Sequence, residues 1–299
     1  MKRRNFIKNT ALSAVAISAT GFVRFNGNRF EGDCETTTDI LGPYYRPDAP
    51  LRTDLLIKGA KGQKVVLSGQ VFHKDCTTPL KKACVEIWHC DTEGVYDNDS
   101  PDFKYRAKAY SDDKGNYSFT TIIPVAYDTG VGFIRPAHFH MMYSAEGYQS
   151  LITQLYFTGD KYISKDITAS SPSAAKRILD FKNGKNGEKT LAFNVTMMEK
   201  IPASLAVIQQ LAGLYMIAGG KDQKVEFYKR DNLLWVKDQS SINGGYPLMY
   251  NGNNTFGSYG PIEESYSFTP QTDGSVKLVY SEVNREKVKV VHEASKSKS

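Results

Sequence analysis

The sequence contains little histidine and no long apolar run. Of its 299 residues, five are histidine, four are cysteine and two are tryptophan, whereas 18 are tyrosine. A metal site in this chain must therefore use few imidazoles, and tyrosine oxygens become candidate ligands. The most apolar stretch, residues 11–23, is shorter than the about 20 residues that a membrane-spanning helix needs, so no stable membrane insertion is expected.

The excess of positive charge lies at the two ends of the chain. The net charge is +6, of which the first 20 residues contribute +4 and the last 15 contribute +3, so the body between them is close to −1. A nucleic-acid-binding protein carries its basic patch on the folded body. The charge distribution therefore argues against nucleic acid as a partner.

The N-terminus has the layout of an export signal. A basic head with Arg3-Arg4 and Phe6-Ile7-Lys8 precedes the apolar run, which contains several small residues. This layout is typical of a secretory signal, and the arginine pair resembles a twin-arginine signal. We expect residues 1–30 to be a signal peptide and linker, and the protein to be exported to the periplasm or the medium. The alternative is a basic leader with no export role.

The four cysteines leave the disulfide pattern open. Cys84 and Cys90 are six residues apart on one predicted strand, about 20 Å at the strand rise, so they cannot pair. Cys76 and Cys84 flank a turn-like segment and could pair. The alternative is that all four cysteines, including Cys34, are free thiols.

The pattern of apolar residues predicts an all-β chain with two domains. Residues 31–200 contain strand-like segments separated by turn signals, which is typical of an antiparallel β-sandwich. The predicted strands are 65–72, 83–89, 117–123, 137–143, 151–157 and 191–197. A polar segment, 159–188, contains one predicted helix at 173–181. Residues 201–299 predict a helix at 204–211 and then a small all-β domain of hairpins.

The segment Arg135-Pro136-Ala137-His138-Phe139-His140 carries the densest chemistry. His138 and His140 are at positions i and i+2 of a predicted strand, so both point to one face and could bind a metal. The sequence offers no suitably spaced carboxylate and third histidine for a cupin-like site. It also offers no convincing third histidine for a three-histidine zinc site. His89 follows Trp88 in a strand and is expected to be a packed, hydrogen-bonded histidine.

Two tyrosines remain as candidate ligands. Tyr96 and Tyr127 each follow a predicted strand, where loops commonly place functional groups. A tyrosine has a pKa near 10, so it binds as phenolate only to a strongly acidic metal, and ferric iron is such a metal.

These segments closely resemble the intradiol ring-cleavage dioxygenases, which act on catechol, protocatechuate or hydroxyquinol. Segments 40–50, 85–96, 121–127, 135–140 and 151–160 agree with that family in order, spacing and residue type. The resemblance implies a non-haem Fe(III) bound by Tyr96, Tyr127, His138 and His140. It implies cleavage of a catechol-type diol with O2 to a muconate-type dicarboxylate.

The resemblance also assigns roles to residues around the metal. Tyr127 would be the axial ligand that leaves the metal and accepts a substrate proton. Arg135 would stabilise negative charge that builds on the ring, and Gln154 would lie in the pocket. A second group is expected to line the pocket or its rim: Tyr44, Tyr45 and Pro47.

Two features depart from the family pattern. The chain lacks the long helical N-terminal segment through which catechol 1,2-dioxygenases dimerise, so a homo-oligomer is left open, and it carries an additional C-terminal domain. One rival hypothesis is an exported β-sandwich binding protein that keeps the scaffold without turnover. Another is that the C-terminal domain is a small-ligand or polysaccharide module.

Overall fold

The computed structural model describes eleven stretches of the chain. They are residues 17–18, 21–25, 30–32, 34–130, 132–197, 203–219, 223–230, 232–239, 244–261, 264–283 and 288–297. The twin-arginine motif lies outside the described residues. No helix within these stretches is long and apolar enough to cross a membrane. Three short strands near the N-terminus pair with one another: β1 (Ile17–Ser18), β2 (Gly21–Phe25) and β3 (Phe30–Gly32).

The first large unit is a β-sandwich, as the sequence predicts. One sheet has the order β12-β11-β10-β5-β6, and the other has the order β13-β14-β4-β15 with β7 also paired to β4. The strands are β4 (Lys64–Phe72), β5 (Cys84–Trp88), β6 (Arg106–Tyr110), β7 (Asn116–Ile122), β8 (Tyr127–Asp128), β9 (Ile134–Arg135), β10 (His138–Ser144), β11 (Leu151–Phe157), β12 (Ile178–Leu179), β13 (Lys182–Asn183), β14 (Lys189–Ala192) and β15 (Val195–Thr196). Strands β8 and β9 form a separate two-stranded ribbon.

The core lies between the two sheets. In β4, Val65, Leu67 and Val71 are buried and pack with residues of the opposite sheet, such as Ile87 and Phe139. The predicted strand 191–197 is divided in two, because the Asn194 side chain replaces a backbone acceptor and binds the N–H of Gln70. Both halves, β14 and β15, pair parallel with β4, and β12 pairs parallel with β11. The other pairs in the sandwich are antiparallel.

The polar segment 159–188 folds against the sandwich. It contains two 3₁₀ helices, Ile163–Lys165 and Pro172–Arg177, and the second is capped by the Ser171 hydroxyl. The predicted helix 173–181 is therefore too long, because Ile178 and Leu179 leave the helix to form β12 beside β11.

In the part of the chain that the structure describes, the C-terminal unit is a nine-stranded antiparallel sheet with helix α1 (Leu205–Leu211), which begins after the Ser204 cap as predicted. The strands are β16 (Gly213–Ile217), β17 (Lys224–Arg230), β18 (Leu233–Lys237), β19 (Gly245–Pro247), β20 (Met249–Gly252), β21 (Thr255–Gly257), β22 (Ser265–Pro270), β23 (Val276–Val283) and β24 (Lys289–Lys296). Neighbours in the sheet are neighbours in the chain, except that β16 pairs with β24. This is the up-and-down arrangement predicted for the region.

The two units meet at residues 38–45, a segment that we call the strap. Trp235 and Tyr259 of the C-terminal unit are buried in one apolar cluster with Leu41 and Tyr45 of the strap. The Gly260 N–H donates a hydrogen bond to the Thr38 hydroxyl over 3.1 Å. The strap is therefore held between the sandwich and the C-terminal unit.

The disulfide joins Cys34 to Cys76, with their Cα atoms 6.1 Å apart. Both sequence-based expectations, a Cys76–Cys84 bond and four free thiols, are wrong. Cys76 lies in a turn, with its N–H bonded to the His73 carbonyl, whereas Cys84 is fixed in β5 between β6 and β10. Cys84 and Cys90 are free.

Candidate active site

The two candidate histidine ligands lie side by side on β10. His138 and His140 are both buried, and their Nε2 atoms are 3.1 Å apart. Phe139, between them, points into the sandwich core. The strand register places His140 between Trp88 of β5 and Gln154 of β11, and it places His138 beside Tyr156.

The two candidate tyrosine ligands come to the same place from two loops. Tyr96 follows β5, and its Oη is 3.4 Å from the His138 Nε2. Tyr127 begins β8, and its ring lies 5.4 Å from that of Tyr96 and 5.8 Å from that of His138. Gly94 permits this approach, because a Cβ there would lie 2.8 Å from the Tyr127 Cβ. All four side chains named from the sequence thus form one buried cluster.

Electrostatics leave both imidazoles neutral. Burial lowers the pKa of His138 to about 3, with Arg135 adding to the effect, and burial and the neighbouring His138 hold the pKa of His140 well below its usual value. The His138 Nδ1 lies 2.6 Å from the Pro136 carbonyl oxygen, which can only accept. Nδ1 is therefore the donor, and the Nε2 lone pair faces the cluster.

The two phenols need a strong cation in order to ionise. Burial raises the pKa of Tyr127 to about 12 and, together with the neighbouring Tyr127, raises the pKa of Tyr96 above its usual value. Within the described stretches, no group of three or more His, Cys, Asp and Glu side chains could hold a metal. A metal at His138 and His140 would therefore draw on the tyrosines, and this set of two nitrogens and two phenol oxygens fits a hard, highly charged ion such as ferric iron.

Aromatic side chains surround the cluster. Tyr44 stacks on Tyr96 with ring centroids 4.4 Å apart, and Trp88 stacks on His140 at 4.9 Å with only 9° between the ring planes. Tyr45 packs edge-on against the far side of this stack, 5.1 Å from Trp88. With Pro47 it lines a cavity of about 270 Å³ that Leu233 and Trp235 of the C-terminal unit complete. Of the three expected rim residues, Tyr44 is thus the one stacked on a candidate ligand.

Arg135 is held in place beside the histidines. Its Nε donates to Asp166 over 2.6 Å, and its Nη2 donates to Gln154 over 2.8 Å and to Thr168 over 3.0 Å. Its Nη1 has no hydrogen-bond partner among the residues that the structure describes. Burial alone would lower the pKa of Arg135, but Tyr156 and Asp166 outweigh it and raise the pKa, so the guanidinium remains charged.

Gln154 connects this arginine to the strap. Its Oε1 accepts from Arg135 and from the Tyr156 hydroxyl, and its Nε2 donates to the Ile40 carbonyl over 2.7 Å. Buried Asp39 accepts from Arg177, and its Oδ2 lies 3.0 Å from the Tyr156 hydroxyl oxygen. Four of these buried polar residues were not predicted from the sequence, because isolated polar residues in polar segments give no pattern that distinguishes buried ones: Asp39, Asp166, Thr168 and Arg177.

His89 is a structural histidine, as the sequence analysis expected. It is buried, with Nε2 2.8 Å from the Thr121 hydroxyl and Nδ1 2.7 Å from the Cys90 carbonyl. Burial lowers the pKa of His89 to about 4. Both ring nitrogens are therefore satisfied away from the tyrosine and histidine cluster.

Comparison with known proteins identifies the family of the sandwich unit. Residues 40–198, more than half of the chain, match the family model described as Dioxygenase. The chain therefore belongs to the intradiol ring-cleavage dioxygenase family, and the resemblance noted in the sequence is confirmed. Residues 201–299 lie outside the matched range.

Individual relatives cover part of the chain. Catechol 1,2-dioxygenase of Candida albicans is 33% identical over 205 residues, which are 60% of this chain and 65% of the relative. The 6-chlorohydroxyquinol 1,2-dioxygenase of Cupriavidus pinatubonensis is 33% identical over 183 residues, which are 55% and 64% of the two chains. The chain thus spans just under two thirds of the length of these two relatives.

A solved structure of a single-residue mutant of Acinetobacter radioresistens catechol 1,2-dioxygenase superposes with a TM-score of 0.50 at 25% identity. The match covers 56% of this chain and 64% of that one.

Proposed function

We propose that this protein cleaves a catechol-type aromatic diol with O2 between the two hydroxyl-bearing carbons, at a non-haem Fe(III) held by Tyr96, Tyr127, His138 and His140. The observation that carries the proposal is the convergence of these four side chains in one buried cluster. Family membership and the activities named for the relatives support the same chemistry. The product would be a muconate-type dicarboxylate.

Ferric iron bound in this cluster would supply Lewis-acid activation and a template for the diol. Tyr127 would be the base. Burial raises the pKa of Tyr127 to about 12, so a Tyr127 phenolate would accept a proton from a substrate hydroxyl on Oη. The neutral His138 and His140 would remain as ligands.

Arg135 would stabilise negative charge on the substrate. Its guanidinium is a fixed cation in a buried place, where electrostatic interactions are stronger than in water. Asp166 and Gln154 hold Nε and Nη2, which leaves Nη1 for the ring oxygen. Gln154 is thus a positioning residue, and Tyr44 would cover the face of Tyr96 from water.

We also propose that the protein is exported by the twin-arginine pathway and that residues 1–30 are the signal and linker. The Cys34–Cys76 disulfide supports this, because such bonds persist in oxidising compartments. Residues 31–200 and 201–299 would be the two domains of the mature chain. Cell fractionation with an Arg3→Lys, Arg4→Lys double variant tests export: the variant should accumulate inside the cell, and unchanged export would overturn the twin-arginine route.

Oxygen uptake tests the proposed activity directly. The iron-loaded protein should consume O2 with at least one of catechol, hydroxyquinol and protocatechuate. The product should contain both atoms of the consumed O2. Tyr127→Phe should lose most of this turnover, and unchanged turnover would remove Tyr127 from the mechanism. If the loaded protein binds diols but consumes no O2, a β-sandwich binding protein without turnover is the better account.

A further inference from the structure

A cavity of about 350 Å³ lies between the strap and the C-terminal unit. Its inner wall is the strap segment Ile40 to Pro43. Its outer wall is made by the C-terminal unit, with the side chains of Asp238, Tyr246, Pro247, Ser258, Tyr259 and Glu264. This outer wall lies beyond the part of the chain that matches the dioxygenase family.

The inner wall of the cavity also borders the candidate iron site. Gly42 lies against His140, because a Cβ on Gly42 would come within 2.7 Å of the imidazole Cε1. The Ile40 carbonyl accepts from Gln154, which in turn binds Arg135. Ile40 and Gly42 therefore contact the proposed catalytic machinery and also line the cavity, so the cavity adjoins the candidate iron site across one backbone segment.

Among the described residues of the outer wall, two are acidic and none is basic. Asp238 and Glu264 line the cavity, and the sequence has no Lys or Arg from residue 238 to residue 276. The Tyr246 and Tyr266 hydroxyls both donate to Oε2 of Glu264, over 3.3 and 3.1 Å. Oε1 of Glu264 takes no donor from any described residue, so it is left for a ligand.

We propose that the C-terminal unit forms the outer wall of the substrate site and selects catechols that carry a cationic ring substituent, such as a protonated aminoalkyl chain. This inference rests on the proposed function. An ammonium group in the cavity would donate a charge-assisted hydrogen bond to Glu264 Oε1 and would lie close to the rings of Tyr246 and Tyr259. A carboxylate substituent would meet the carboxyl groups of Asp238 and Glu264 and no basic side chain among the described lining residues, so nothing there would offset its desolvation.

Turnover of three catechols by the full-length, iron-loaded protein tests the selection. The ring would carry an aminoethyl, an ethyl or a carboxyethyl group at the same position. The expected kcat/KM for the aminoethyl compound exceeds that for the ethyl compound by about tenfold or more, in line with a charge-assisted hydrogen bond, and the carboxyethyl compound is the poorest. Glu264→Gln should reduce the ratio of kcat/KM for the aminoethyl compound to kcat/KM for the ethyl compound at least about fivefold.

Glu226→Gln is the matched control. Glu226 is an exposed acid of the same unit that pairs with Lys237 and does not line the cavity, so this variant should keep the full preference. Equal use of the aminoethyl and carboxyethyl compounds, or a preference that survives Glu264→Gln, would overturn the inference while leaving the dioxygenase activity standing.

Binding separates this inference from the proposed activity. The corresponding monophenols lack the second hydroxyl and cannot be cleaved, so their affinity can be measured by calorimetry whether or not the protein turns over a diol. We expect aminoethylphenol to bind more tightly than carboxyethylphenol, and we expect Glu264→Gln, but not Glu226→Gln, to lose this difference. That result would support cation selection by the cavity even if no O2 is consumed. Equal affinities in the wild-type protein would count against it.

Discussion

Gly42 lies directly against His140: a methyl group on Gly42 would approach the imidazole Cε1 to 2.7 Å. Trp88 stacks on the same imidazole at a centroid distance of 4.9 Å. The His140 ring is thus confined by the indole and by a backbone segment that only glycine allows. Residues that confine a metal ligand commonly matter for metal affinity as much as the contacts of the ligand itself.

The first prediction follows from this confinement. Gly42→Ala should push His140 out of line with His138 and weaken iron binding by about tenfold or more, a typical effect of disturbing the support of a ligand. Iron affinity can be measured by competition with a chelator. Gly59→Ala is the control, because Gly59 also has a positive φ but has no atom within 4 Å of an added Cβ. Both variants bear the left-handed backbone cost of about 1 kcal/mol, so equal iron affinities would contradict the confinement.

The second prediction concerns stability in acid. Burial alone would raise the pKa of Asp166, but Arg135, the Ala169 N–H and the Thr168 hydroxyl outweigh it and lower the pKa. A carboxylate with a lowered pKa in the folded state stabilises the protein at neutral pH, and this contribution is lost as the pH falls below about 4. Denaturant unfolding at pH 6, 4 and 3 should show that loss in the wild-type protein.

Asp166→Asn should be less stable at pH 6 by about 3–5 kcal/mol, because it leaves the buried Arg135 without its anion. It should also lose less stability than the wild-type protein between pH 6 and pH 3. The exposed Asp99 provides the control, and Asp99→Asn should follow the wild-type curve. If the free energy of unfolding of Asp166→Asn fell with pH as steeply as that of the wild-type protein, groups other than Asp166 would cause the acid sensitivity.

The third prediction concerns the contact between the two units. Trp235 is buried against Leu41 and Tyr45, and its Nε1–H donates to the Arg230 carbonyl over 3.1 Å. Trp235→Ala should cost about 3–5 kcal/mol of stability and raise KM for the diol severalfold, because the strap loses its support. Phe268→Ala, within the core of the C-terminal unit, should be destabilised similarly without a change in KM. Equal KM values in the two variants would show that the strap does not support the substrate site.

The fourth prediction concerns the disulfide. Cys34 and Cys76 close a loop with a sequence separation of 42 residues, which corresponds to about 4 kcal/mol of unfolded-state entropy in the chain model. Cys76→Ser, or reduction of the wild-type protein, should lower the free energy of unfolding by roughly that amount. Cys84→Ser removes a free thiol and should change little. Equal losses in the two serine variants would argue against this pairing.

Local patterns in the sequence predicted most of the sandwich and the members of the candidate metal cluster. His138 and His140 share a face because strand side chains alternate. Strand β4 alternates buried and more exposed residues over much of its length, whereas β10 is buried at most positions. Tyr96 and Tyr127 were candidate ligands because each follows a predicted strand, and the family resemblance implied the same two residues; the structure places both beside His138.

Long-range pairings could not be read from such patterns. The Asp166 partner of Arg135, 31 residues away, lies in a segment whose polar composition resembles that of an exposed loop. The Cys34–Cys76 bond depends on the direction that the turn containing Cys76 takes in the folded protein. The short spacing between Cys76 and Cys84 favoured Cys84, which is the wrong partner. The approach of the C-terminal unit to the strap likewise depends on tertiary packing, which no single segment encodes.

The visible absorption spectrum of the protein titrated with ferric iron tests the central claim most directly. Coordination by Tyr96 and Tyr127 should produce a red-brown colour from phenolate-to-iron charge transfer, saturating at one iron per chain. Tyr96→Phe and Tyr127→Phe should each weaken or shift this band, whereas Tyr280→Phe, in the C-terminal unit, should leave it unchanged. A protein that remains colourless and metal-free after ferric loading would contradict the account.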